Sequence, residues 1–290
     1  MKRIDKNTIE YGWKLIEKWC AIIFAILTTI LSFVSLDDIC KLTPCLKILL
    51  ITVVVLAISI VCIVFTIYQK ERVFWRRGNN SITIQVGDIF HLSNYERNAA
   101  RKLIIIPVNT NFDTIVEQPD SSPHPLVSAN TLHGRWINSI LCNEHNTSTN
   151  LESAIFSYLD AKNVSYRSSN RERGSNREYE TGTCAIYSHG NIDYVLLALS
   201  QFDENNNAHC TKEDLINAIK GLLSFLDQNG QGYDAYVPVM GTGRSRAGLR
   251  HDEALKIIAR TMLLYSERIT SNIHIVIYSG DAGKVSIYDV

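Results

Sequence analysis

Tyr236-Val-Pro-Val-Met-Gly-Thr-Gly-Arg-Ser-Arg-Ala-Gly-Leu249 runs from a short apolar stretch into glycines at Gly241 and Gly243. It then passes Arg244 and Arg246 and enters a helical pattern near Arg250. That order predicts a strand, a glycine turn and a helix. At such a junction the first helical N–H groups lack an internal partner, and glycines let a ligand's phosphates come close to the backbone. A tight turn with exposed arginines explains the same residues, so for an isolated Gly-x-Gly both readings stand. Two phosphate motifs are excluded. The P-loop needs a Gly-Lys-Ser/Thr end, and the dinucleotide fingerprint needs a third glycine where this chain has Arg246.

The neighbouring segments supply an α/β pattern. Leu103 to Val108 is a continuous apolar run, as in a strand covered on both faces, and ends in Asn109-Thr110-Asn111-Phe112-Asp113. Ile82 to Val86 alternates like a strand and ends in Gly87-Asp88-Ile89. Thr183–Ser188 and Tyr194–Leu199 read as strands joined across His189-Gly190-Asn191. Ile273–Tyr278 is another apolar run, and Val285–Tyr288 closes the chain. Helices are predicted within Pro125–Leu141, which carries His133-Gly134-Arg135-Trp136, and over Asn150–Ala161. A third follows Thr211, with Glu213 and Asp214 favourably placed in its first turn and Leu215, Ile219, Leu222 and Leu226 at helical spacing. Between them, Asn163–Glu180 is polar and reads as an exposed insertion. Its Arg167, Arg171, Arg173 and Arg177 suit either solvent or an acidic partner. Strands interleaved with helices predict a three-layer α/β domain with a mixed sheet over residues 81–290.

The chain before residue 81 is different. Residues 1–18 form an amphipathic lead-in, with Ile9, Trp13 and Ile16 at helical spacing. Residues 19–36 and 48–68 are uncharged apolar runs of spanning length, which predicts a two-helix transmembrane hairpin. A cleaved signal peptide and a buried soluble helix are the rival readings of the first run. The former is disfavoured because Phe33, Val34 and Leu36 lead into Asp37 and Asp38 instead of a small-x-small site. Lys2, Arg3, Lys6, Lys14 and Lys18 precede the hairpin and Lys70, Arg72, Arg76 and Arg77 follow it, whereas the loop offers Lys41 and Lys47. Both termini are therefore expected in the cytoplasm. Trp13, Trp19, Tyr68, Phe74 and Trp75 fit an aromatic belt on that face, and residues 69–80 a basic linker.

The net charge of zero conceals a basic excess before Asn80 and an acidic excess after it, with no basic face for nucleic acid in the later part. The seven cysteines follow no zinc spacing, and no metal or cofactor is expected. Cys142, Cys184 and Cys210 read as small buried hydrophobes. Cys40 and Cys45 bracket a short loop where a disulfide is open if the loop faces an oxidising space.

Four segments in order resemble the macro domain, the ADP-ribose-binding fold. Val86-Gly-Asp-Ile89 resembles its opening Gly-Asp-Ile turn, and Ile106-Pro-Val-Asn-Thr-Asn111 its Val-Asn-Ala-Ala-Asn segment. Thr181-Gly-Thr-Cys-Ala-Ile186 resembles its Thr-Gly-x-Ala strand, and Pro238-Val-Met-Gly-Thr-Gly243 its phosphate loop. The resemblance implies that Asp88, beside Ile89, accepts from an adenine amino group and that Gly241, Thr242 and Gly243, followed by Arg244 and Ser245, hold a diphosphate. Asn109 matches the first asparagine; Asn111 sits one residue early for the second. Where family hydrolases carry three consecutive glycines, this chain has His133-Gly134-Arg135-Trp136. There Arg135 is expected to meet a phosphate, Trp136 to stack on a ring, and His133 to serve as acid, base or structural residue.

A membrane hairpin followed by such a domain resembles the membrane-anchored effector of type II Thoeris antiphage defence. This implies a bacterial inner-membrane protein that senses an ADP-ribose-derived signal, histidine-linked in known systems and made by a TIR-domain enzyme, and that then oligomerises and disrupts the membrane. A membrane-tethered ADP-ribosyl hydrolase and a non-catalytic reader of ADP-ribosylated partners are the alternatives. The missing triple glycine counts against hydrolysis, which needs water and ribose fixed together.

Overall fold

A computed structural model describes residues 6–31, 43–91, 101–117, 125–144, 147–203, 207–242 and 248–290. The chain divides into two units, Met1–Lys70 and Glu71–Tyr288.

In the first unit, α1 (Lys6–Leu31) joins the lead-in and most of the first apolar run into one continuous helix. The rest of that run, with Asp37, Asp38 and Cys40, lies outside the described residues, as does the side chain of Cys45. Helix α2 (Pro44–Tyr68) starts on a proline whose fixed φ suits a first turn. The two helices pack together where Gly12 meets Thr66, close enough that a Cβ on Gly12 would lie 3.6 Å from the Thr66 hydroxyl oxygen. Away from that seam Leu56, Ile60, Val61, Val64 and Phe65 are exposed. Ile51–Tyr68, 18 residues with a mean hydropathy of 2.8, is long and apolar enough to cross a membrane. Among the described residues no second helix meets that test.

The second unit is built on a mixed sheet. Strand β1 (Glu71–Arg77) pairs antiparallel with β2 (Asn80–Gly87) through a turn that holds Gly78 at φ 58°. Parallel neighbours follow: β12 (Ile273–Tyr278) on β2, β11 (Asp234–Pro238) on β12, β3 (Lys102–Asn109) on β11 and β9 (Ile192–Phe202) on β3. Antiparallel β8 (Cys184–His189) finishes the sheet on β9, the short β10 (Ala208–His209) pairs with the far end of β9, and β4 (Val116–Glu117) and β5 (Val127–Ser128) form a separate parallel pair. The apolar runs of β3 and β9 are buried because both of their faces are covered. Trp136, Ile137 and Ile140 of α3 (Leu132–Glu144) and Leu151, Ile155 and Leu159 of α4 (Ser148–Ala161) pack on Ile104, Ile106, Leu196 and Ala198. The alternate residues Leu103, Ile105, Val195 and Leu197 are also buried and face the opposite way, where α5 (Lys212–Asn229) contacts β9 and α6 (His251–Leu264) packs on α5. Helix α5 starts as its sequence dictates, with Thr211 and Asp214 closing a capping box.

Three expectations are corrected. Residues 71–77 are an edge strand of the sheet and not a linker, and Phe74 and Trp75 are half-buried within it. The segment 163–180 is mostly exposed, as expected, but it is anchored to the fold and is not a free loop. Short strands β6 (Arg167–Ser168) and β7 (Arg177–Glu178) tie it together, Ser175 and Tyr179 are buried, and three of its arginines pair with Asp113, Glu117 and Asp160 of the same chain. Cys142 is exposed, whereas Cys184 and Cys210 are buried and burial pushes both thiols up. Val285, Ile287 and Tyr288 are buried without joining the sheet.

Candidate functional site

A cleft of about 790 Å³ lies across the carboxyl ends of β2, β12, β11, β3 and β9. Parallel α/β sheets place ligands there, because the strand ends stop and the helices that follow them begin at that edge. Five adjacent strands at about 4.8 Å spacing make the cleft about 19 Å long. Asp88 and Tyr278 lie at one end, Pro238–Thr242 in the middle, and Asn109, Ser200 and Phe202 at the other.

At the first end, β2 breaks at Gly87 and a helical turn begins at Ile89. Asp88 caps that turn: its Oδ1 accepts from the Phe90 N–H at 3.1 Å and its carbonyl from the His91 N–H at 3.0 Å. Its Oδ2 accepts from Arg135 Nη2 at 2.8 Å. Burial alone would raise the Asp88 pKa, but the Arg135 hydrogen bond, the Phe90 amide and the Arg135 charge outweigh it and hold the carboxyl below its ordinary range. Arg135 therefore meets a carboxylate here, where the sequence suggested a phosphate. Its guanidinium lies over the Phe90 ring, 5.1 Å from the centroid, and 6.0 Å from that of Tyr278.

Helix α3 starts beside the cleft. Thr131 accepts from the Gly134 N–H through its hydroxyl and from the Arg135 N–H through its carbonyl, and Asn130, Thr131, Leu132 and His133 line the wall. Gly134 is required for packing: a Cβ there would meet the Ser128 carbonyl oxygen at 2.3 Å. His133 is buried, and burial pushes its pKa down to about 3, so it is a neutral imidazole at neutral pH. Trp136 cannot stack on a ligand. It is fully buried against His133, Tyr187 and Tyr194, because one helical step of about 100° turns the residue after Arg135 into the core.

Beyond β3, Asn109 lines the cleft while its Oδ1 accepts from the Asn111 and Asp113 N–H groups at 3.1 and 3.2 Å, which shapes the turn. Asn111 points away from the cleft. Its amide donates to the Ser175 and Arg177 carbonyls and so ties the 163–180 segment to the turn. Asp113 is buried beneath the same segment, paired with Arg171 at 3.0 Å and accepting from the Ser175 N–H at 2.7 Å. Burial dominates and raises the Asp113 pKa, against the lowering effects of Arg171 and the Ser175 amide. The Arg171 guanidinium lies 4.8 Å from the centroid of Phe202, itself part of the cleft wall.

In the middle, Val239 donates to the Val276 carbonyl at 3.0 Å, Met240 is buried, and Gly241 turns the chain at φ 88°, a conformation that favours glycine. Gly241 and Thr242 line the cleft; Gly243, Arg244 and Ser245 lie outside the described residues. Of the expected site residues, Asp88, Ile89, Asn109, His133, Arg135, Gly241 and Thr242 converge on the cleft, and Asn111 and Trp136 do not. Sequence reasoning missed Ser128, Ser200, Phe202 and Tyr278. Tyr278 and Phe202 close apolar strand runs, and the last residue of a buried parallel strand is the signal that finds them. The Ser128 hydroxyl is buried on the cleft wall with no hydrogen-bond partner among the described residues. Among those residues no cluster suits a metal ion.

A mixed three-layer sheet with a cleft at its parallel carboxyl ends, opened by a Gly-Asp-Ile turn and floored by a glycine turn, defines a macro-type α/β protein. Residues 82–278 match the family described as the macro domain of the Thoeris protein ThsA, and the chain belongs to that family. The chain is 23% identical over 308 residues to a Thoeris protein ThsA of Bacillus amyloliquefaciens (strain Y2), covering 98% of this chain and 95% of that one. Among solved structures, an Oceanobacillus iheyensis macrodomain with ADP is similar at 16% identity and a TM-score of 0.41, covering 76% of this chain and 94% of that one. A variant of that macrodomain with ADPR gives 14% and 0.40, with 75% and 94% covered.

Proposed function

We propose that the chain is a membrane-anchored effector of Thoeris defence whose cleft binds an ADP-ribose-derived nucleotide. The observation that carries this reading is the order of groups along the cleft: a base-reading carboxylate at Asp88, the Gly241 turn two strands away, and the Asn109 turn one strand further. A nucleotide with its base at Asp88 brings its diphosphate to Gly241, where the absence of a Cβ allows close approach. The start of α3 lines the same cleft, and its dipole favours an anion there. Asn109 and Ser128 then offer polar groups to the distal ribose. His133, neutral and buried, contributes no charge.

The effector part of the reading rests on the exposed apolar helix α2, which is followed within three residues by the first strand of the ligand-binding unit. In this proposal α1 and α2 cross the inner membrane together with both termini in the cytoplasm. The signal, made by a TIR-domain enzyme and possessing a distal group such as histidine, drives self-assembly and membrane disruption. The test is calorimetry on the detergent-solubilised chain with ADP-ribose. Wild type is expected to bind and Gly241→Val to lose binding by tenfold or more, since a branched side chain suits neither φ 88° nor the phosphates. Equal affinity for the two proteins would remove the glycine turn from the site. Mass spectrometry of the nucleotide retained from cells that carry the TIR partner would identify the distal group.

A further inference from the structure

The base end of the cleft is occupied by the chain's own Arg135. Of the two Asp88 oxygens, Oδ1 already accepts from the Phe90 amide, which leaves Oδ2 the less committed acceptor for a ligand, and Arg135 Nη2 holds it at 2.8 Å. His91 Nδ1 is 3.9 Å from the same oxygen, too far for a hydrogen bond. A guanidinium is planar, carries N–H donors along its edge and packs its face on aromatic rings. Arg135 uses all three properties here, with an edge on Asp88 and its plane beside Phe90 and Tyr278. An aminopurine held at a carboxylate between aromatic rings would present the same features. We propose that Arg135 is an intramolecular stand-in for the base and sets the affinity of the cleft, because an aminopurine nucleotide must displace it from Asp88 before its amino group can be read. The inference rests on the nucleotide reading of the cleft.

The backbone of Arg135 is fixed by Thr131 and by the close packing of Gly134 on Ser128, so the side chain returns to Asp88 whenever the ligand leaves. The pair is partly exposed, with side-chain accessibilities of 39% and 20%, and such pairs hold modestly. Displacement should therefore weaken binding by about two- to fivefold.

The experiment is calorimetric titration of the detergent-solubilised full chain with ADP-ribose, for wild type, Arg135→Ala, Arg135→Gln, Asp88→Asn and the double variant Asp88→Asn with Arg135→Ala. Both Arg135 variants are expected to bind about two- to fivefold more tightly than wild type, and the gain should vanish in the Asp88→Asn background, where no ion pair remains to be broken. Weaker or unchanged binding by both Arg135 variants, or a gain that persists without the Asp88 charge, would overturn the stand-in while leaving the nucleotide site intact. Failure of wild type and every variant to bind ADP-ribose would instead overturn the nucleotide reading, and this inference with it.

Discussion

Residues within the cleft divide by whether their role depends on neighbours in sequence or in space. Asp88, Asn109 and Gly241 were legible as cleft-lining positions because each sits in a short local pattern at a strand end. Trp136 was not, because proximity to Arg135 in sequence says nothing of the helical face it occupies, and its aromatic partners Tyr187 and Tyr194 come from two distant strands. His133 gives a residue-scale prediction. Its folded pKa, near 3, lies below the unfolded value of about 6.5, so between those values the unfolded chain binds the extra proton. Stability should then fall as pH drops below about 6.5 and stop falling, on this account, near pH 3. Between pH 7 and pH 5 the loss is about 2 kcal/mol. Urea denaturation at the two pH values should show that loss in wild type and its absence in His133→Gln; equal slopes in both proteins would mean that His133 is solvated.

At the scale of elements, the central strands were readable because a parallel strand buried on both faces has to be apolar throughout, as Leu103–Val108 is. The linker reading of residues 71–77 and the solvent reading of the arginines in 163–180 both came from composition. Composition does not reveal that 71–77 pairs with β2, or that Arg171, Arg173 and Arg177 find carboxylates inside the fold. Arg171 pairs with Asp113, buried at 1% side-chain exposure, and stacks on Phe202, so a segment that read as an exposed insertion holds up the far end of the cleft. Arg171→Ala leaves the Asp113 carboxylate buried without its cation and should cost about 3 to 5 kcal/mol. Adding Asp113→Asn should recover part of that loss. Denaturation midpoints of the single and double variants check this, and a loss below about 1 kcal/mol for Arg171→Ala would return the segment to solvent.

For the whole molecule, the α/β class followed from alternating elements, the macro domain from four motifs in order, and the Thoeris likeness from an apolar N-terminal part placed before such a domain; residues 82–278 match the ThsA macro-domain family. Membrane crossing by two helices was read from apolar length alone; of the described helices, α2 passes that test over Ile51–Tyr68. The proposed coupling has a definite energetic requirement. Two helices without a charged residue in their apolar runs provide no ion route in one chain, so damage requires several copies packed together. A ligand drives such assembly only by preferring the assembled form, and a shift from mostly apart to mostly together needs about 5 kcal/mol of preference. The most direct measurement is size-exclusion chromatography with light scattering on the detergent-solubilised full chain, with and without the nucleotide retained from TIR-carrying cells, for wild type and Gly241→Val. The account predicts a several-fold rise in protein mass for wild type with nucleotide and none for Gly241→Val; nucleotide bound by wild type with no change in mass would contradict it.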